Sequence, residues 1–141
     1  MRPILLAAVA AAFAATAALA AGLSMKDEMK QVVDPATNTI FAVGGDVDPA
    51  NGPDAAKVPA PRWAEALAAA QKLKGPAANL TSAQYKAKGE VWTKSAADFA
   101  RLAAAAEAAA KAHDGAAFSK AANDLGDTCT ACHTKFKDQK G

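Results

Sequence analysis

Residues 114–137, DGAAFSKAANDLGDTCTACHTKFK, decide how this chain is to be read. Within them, Cys129-Thr130-Ala131-Cys132-His133 has the Cys-x-x-Cys-His form of a c-type haem attachment site. The chemistry requires that spacing. Two thiols add to the vinyl groups on one edge of the haem, and the adjacent imidazole becomes the proximal iron ligand. On a helix, Cys129 and Cys132 lie one turn apart and His133 follows Cys129 by four residues, so the three share a face. Phe118, Ala121, Leu125, Cys129, Cys132 and Phe136 recur at steps of three or four. The pattern predicts an amphipathic helix with its thiols on the buried side, where a large apolar macrocycle would pack.

Other uses of the cysteine pair fit less well. A thioredoxin-like pair opens a helix in a strand-helix-strand setting, and no strand pattern is visible here. A structural zinc ion would need a fourth ligand, and the chain offers only His113 besides His133 and no third Cys. A bare disulfide would leave His133 without a role. The reading is one covalently bound haem c.

Working back from that helix, three more amphipathic segments are expected. The first begins after Ser24 as N-cap and buries Met25, Met29, Val32, Ala36, Ile40 and Val43, with Pro35 kinking it or restarting it behind Asp34 as a new cap. Gly44-Gly45 ends it. A breaker-rich surface loop follows to Pro61. It holds Asp46, Asp48 and Asn51, but the alternation of a calcium loop fails at Ala50. The second helix runs from Pro61 to Lys74 with Trp63, Leu67, Ala70 and Leu73 inward, and is stopped by Gly75-Pro76. A third runs from Lys86 to His113, with Val91, Trp92, Phe99, Leu102, Ala103, Ala106 and Ala110 inward and Gly89 as an early weak point. Asp114 caps the fourth. Gly126, three residues before Cys129, is read either as a place for the porphyrin to approach the backbone or as a helix defect. The fold class is all-α: an antiparallel four-helix bundle with haem attached to the C-terminal helix.

Hydrophobic residues make up 52% of the chain but aromatics only 6%, so Ala carries most of the apolar count and a bundle built from it has a thin core. A haem would thicken it. The net charge of +2 is too small to point to nucleic acid or an anionic membrane. Residues 1–20 read as a cleaved export signal: Arg2, an apolar run from Ile4 to Ala17, and Ala18-Leu19-Ala20 as the small-x-small cleavage pattern. Retention as an anchor is the alternative. Residues 21–141 then form one exported domain in the periplasm, a compartment that suits haem attachment.

With its haem motif near the C-terminus of a four-helix chain, the sequence resembles the cytochrome c′ family. Cys129 to Lys137 is similar to that family's Cys-x-x-Cys-His-x-x-aromatic-basic ending. Lys137 stands where Arg is more usual, which implies a propionate contact through a point charge instead of a bidentate fork. The stretch Met29-Lys30-Gln31-Val32-Val33-Asp34-Pro35, with Phe41 beyond it, resembles the first helix of the low-spin branch, whose members ligate iron through a Met. The resemblance implies Met29 as sixth ligand, with Met25 as the alternative. From the residues alone, a Met on the inner face is more often a gap-filler than a ligand.

A Met/His haem would carry single electrons, whereas an open sixth position would bind nitric oxide or carbon monoxide. No catalytic triad or acid-base pair is visible, so enzymatic turnover is not expected. The expected partners are redox proteins, with no nucleic acid and no membrane after signal cleavage, and a homodimer is also compatible.

Overall fold

The structure, a computed structural model, describes residues 22–52, 55 and 57–137. The expected signal segment lies outside the described residues. Among those described there is no strand, and no helix is long and apolar enough to cross a membrane.

The first arm comprises α1 (Met25–Glu28), a π-helical turn (Met29–Val33) and α2 (Asp34–Asp46). The second is α3 (Ala60–Lys72) followed by α4 (Lys74–Leu80), the third α5 (Glu90–Ala112) and the fourth α6 (Gly115–Phe136). Each arm packs on the next, and α2 closes the ring against α6. The arms form an antiparallel four-helix bundle.

The Ser24 hydroxyl accepts from the Asp27 amide at 3.2 Å, as an N-cap should. Pro35, however, neither breaks the first arm nor restarts it. Asp34 is helical and makes no side-chain cap, because the chain swells into the π turn, where the Asp34 amide donates to the Met29 carbonyl. Proline brings no N–H and its ring crowds the carbonyl four residues back, and a widened turn gives that carbonyl room. The wider turn also takes more residues to return to one face, so Val33 is buried and the expected Val32 only half-buried.

Gly44-Gly45 does not end the arm, which continues to Asp46. Gly44 instead lets two arms touch, since a Cβ there would lie 2.6 Å from the Cβ of Ala122. The start of the following loop has structure that its breakers do not imply. It contains a 3-10 turn (Pro49–Asn51) capped by Asp48, and Asn51 Nδ2 donates to the Gly45 carbonyl at 2.6 Å. Arg62 ties its start to the second arm through Asp46 and also pairs with Glu65.

Gly75-Pro76 does not stop the second arm either. The chain turns at Leu73 and resumes as α4, with Pro76 buried in the first turn, where a missing N–H costs little. A 3-10 turn (Ala83–Lys88) then leads to Gly89, whose φ of 96° lies outside any helix, so the third helix starts at Glu90 and not near Lys86. That start sets the phase. Trp92, Ala96, Phe99, Ala103, Ala106 and Ala110 face inward, while Val91 is 47% exposed and not part of the core. His113 ends α5 in the left-handed conformation and stacks on Trp63, ring centroids 5.2 Å apart. Asp114 caps α6 by accepting from the Ala117 amide at 2.9 Å.

Candidate functional site

At the end of the bundle where the first and fourth arms have their outer termini, the core opens into a cavity of about 830 Å³. That is in the upper part of the range of roughly 300–1,000 Å³ that holds ligands of drug or cofactor size. Cys129, Cys132, His133 and Phe136 of α6 line it together with Met25, Met29 and Val33 of the first arm. Leu80, Tyr85, Trp92 and Phe99 complete the apolar walls.

The haem-binding residues expected from the motif are thus brought together. Cys129 and Cys132 are half-buried free thiols, and His133 is exposed along the same wall. Burial pushes both thiols above their ordinary range, and for Cys129 the neighbouring Cys132 adds to the effect. Thr128, Thr130 and Thr134 turn their hydroxyls back onto carbonyls one turn earlier in the helix, leaving sulfur and imidazole as the groups α6 offers to the cavity. A cysteine pair and an imidazole on one wall, aromatic sides and a large volume fit a covalently held porphyrin. No group of three or more His, Cys, Asp or Glu gathers as a metal site among the described residues.

A family model described as Cytochrome C' matches residues 53–137. The chain belongs to the cytochrome c′ family. Comparison with curated proteins and with solved structures finds no match. Members of this family are non-enzymatic haem proteins, generally periplasmic, that bind one covalent c-type haem, and Cys129 and Cys132 fit the attachment motif. The match to cytochrome c′ starts beyond the first arm, so it speaks to the bundle and to α6 but carries nothing about Met25 or Met29.

Both methionines line the cavity and both are half-buried against the core. Lys137 lines it too. Gly126 does not. The space above it is taken by the Phe41 ring, which a Cβ at 126 would meet at 3.9 Å, so the glycine faces a phenylalanine and not the porphyrin's place.

Three features of the site were not foreseen from the sequence. Trp92 is the hub of its wall: its indole donates to the Leu80 carbonyl at 3.0 Å, and its ring meets Tyr85 at 5.1 Å and Phe136 at 5.2 Å. Glu28, beside Met29, is 1% exposed and accepts from Asn79 at 2.7 Å. Lysines gather at the cavity mouth. Tyr85, seven residues before Trp92, was the available signal for the first of these. Nothing in the sequence marked Glu28, which ends the charged run Lys26-Asp27-Glu28 in the first turn of α1.

Proposed function

We propose that this cytochrome c′ family member is an exported one-electron carrier of the low-spin kind. Cys129 and Cys132 hold the haem, His133 is the proximal iron ligand and Met29 the sixth. The observation that carries the reading is that Met29 stands in the wall of the cavity that Cys129, Cys132 and His133 also line. Met29 also opens the π turn, and such turns occur frequently at functional sites. Met25 shares the cavity but is the first residue of α1, a turn nearer the helix end, where a ligand is held less firmly. Residues 1–20 serve as the export signal in this reading.

The bound haem supplies an iron centre that cycles between ferric and ferrous states. The chain does the rest. A Met29 thioether and a His133 imidazole held together on the iron would give both oxidation states the same ligands and favour the reduced one. Trp92, Phe99, Leu80 and Val33 exclude water from the faces, and Lys137 offers a positive charge to a propionate.

Met29→Ala tests this directly. Haem should remain attached, the thioether charge-transfer absorption should disappear, carbon monoxide should bind rapidly and the midpoint potential should fall. Met25→Ala should leave all of these unchanged. If Met25→Ala opens the iron and Met29→Ala does not, the ligand lies one turn earlier. A wild-type protein that is already high-spin and binds carbon monoxide at once is instead a five-coordinate gas-binding member of the family.

A further inference from the structure

Lys26, Lys30, Lys88 and Lys137 line the cavity, and no Asp or Glu does. All four are exposed, and none makes an ion pair among the described residues. Several positive charges elsewhere are matched by carboxylates, although Lys72, Lys86 and Lys135 are not among the described residues. Arg62 pairs with Asp46, Lys74 and Lys111 with Glu107, Lys94 and Arg101 with Asp98, and Lys120 with Asp124. A haem brings a pair of propionates, so even if each is matched by one lysine, half of this positive ring stays uncompensated. Four like charges held around one opening repel one another, and only Lys88 has a partner in the wall, its ammonium lying 5.3 Å from the centre of the Trp92 ring. A ligand of opposite charge would turn that repulsion into attraction.

We propose that this lysine rim is the docking surface for an acidic redox protein, one whose own electron-transfer site is bordered by Asp and Glu. The proposal rests on the electron-carrier reading above and names the partner's chemistry. A ring of this kind would concentrate an anionic partner at the mouth of the cavity that Cys129, Cys132 and His133 line. It speeds encounter most at low ionic strength, where the Debye length is long.

The test uses the ferrous holoprotein and oxidants of opposite charge. Each reaction moves one electron from haem iron to the probe, hexacyanoferrate(III) as anion or a cobalt(III) tris-phenanthroline complex as cation. Oxidation by the anion should slow several-fold as salt rises from roughly 10 to 200 mM, and oxidation by the cation should not slow. Lys26→Glu/Lys30→Glu should cut the anion's low-salt rate by about tenfold, while Lys72→Glu, a charge reversal on α3 away from the cavity, should alter it far less than either Lys26→Glu or Lys30→Glu alone. Poly-L-glutamate should compete with hexacyanoferrate in wild type and lose that effect in the double variant. Equal effects of Lys72→Glu and the two single rim variants, or no salt dependence, overturn the proposal. So does lysine-dependent sedimentation with phosphatidylglycerol vesicles combined with no competition by poly-L-glutamate, which would assign the rim to a lipid surface. A high-spin spectrum would defeat the electron-carrier reading by a separate measurement, because the salt slopes depend on charge alone.

Discussion

Asn79 Nδ2 donates a 2.7 Å hydrogen bond to Glu28 Oε2, joining the second arm to the residue immediately before Met29. Gln84 in turn donates to Asn79 Oδ1 at 3.0 Å, so the amide is held from both sides. Glu28 is 1% exposed, and a buried carboxyl is tolerated only when hydrogen-bonded. The contact pins the start of the π turn to the cavity wall.

Asn79→Ala leaves that carboxyl without its donor and should cost about 1–3 kcal/mol. Denaturant unfolding of the holoprotein measures it. A loss under about 0.5 kcal/mol, within the range of an ordinary surface change, would mean the contact anchors nothing.

Glu107 carries the clearest pH dependence. Lys74 approaches its two carboxylate oxygens at 2.9 and 3.0 Å and Lys111 one of them at 2.9 Å. These hydrogen bonds hold its carboxyl down from an ordinary 4.5 to about 2, against the opposing effect of burial. Because the folded value is the lower one, the stabilisation is complete above about 4.5 and disappears as pH falls through about 2. Both lysines are more than half exposed, at 64% and 57%, so solvent screening keeps it small. Glu107→Gln should cost about 1–2 kcal/mol at neutral pH, and the gap from wild type should close on acidification. A gap that persists undiminished at pH 2 would show that the ion pairs are not its source.

Gly126→Ala should stabilise the protein. The added Cβ meets Phe41 at 3.9–4.0 Å, an ordinary contact, and alanine is better than glycine within a helix by about 1 kcal/mol. The haem spectrum should not move. A shifted or broadened Soret band would place the porphyrin against this residue after all.

The two histidines should separate cleanly. His113 stacks on Trp63 near the closed end of the bundle, and His133 lines the cavity. His113→Ala should lower the melting temperature and leave the spectrum intact, whereas His133→Ala should change the iron's coordination. The reverse pattern would overturn the assignment of the proximal ligand.

What could be read in advance was whatever is local. The haem motif is chemistry written into five consecutive residues, and Ser24, Asp114 and His113 act on helix ends within a few positions of themselves. The four arms followed from apolar spacing. Punctuation was the weaker guide. Pro35, Gly44-Gly45 and Pro76 all suggest stops, yet each is absorbed into a helix by something distant or geometric: a widened turn, the close approach of Ala122, a place in a first helical turn. The Glu28–Asn79 contact and the lysine rim are invisible for the same reason. Each joins segments that are far apart in the chain, and the near-neutral total charge averages the rim away.

The π turn at Met29–Val33 means that the lining of the haem cavity depends on a count of residues as well as on their kinds. Deleting one residue there, such as Gln31, would restore an unbroken α-helix and rotate everything before it by about 100° with a shift of about 1.5 Å. Met25, Lys26 and Glu28 would keep their identities and lose their positions, while the residues from Val33 onward stayed in the core. A one-codon deletion could therefore re-aim one wall of the haem cavity without altering any residue that lines it. Conversely, inserting one residue into a regular helix is a small step by which a bundle of this type could bring a new side chain into its cavity.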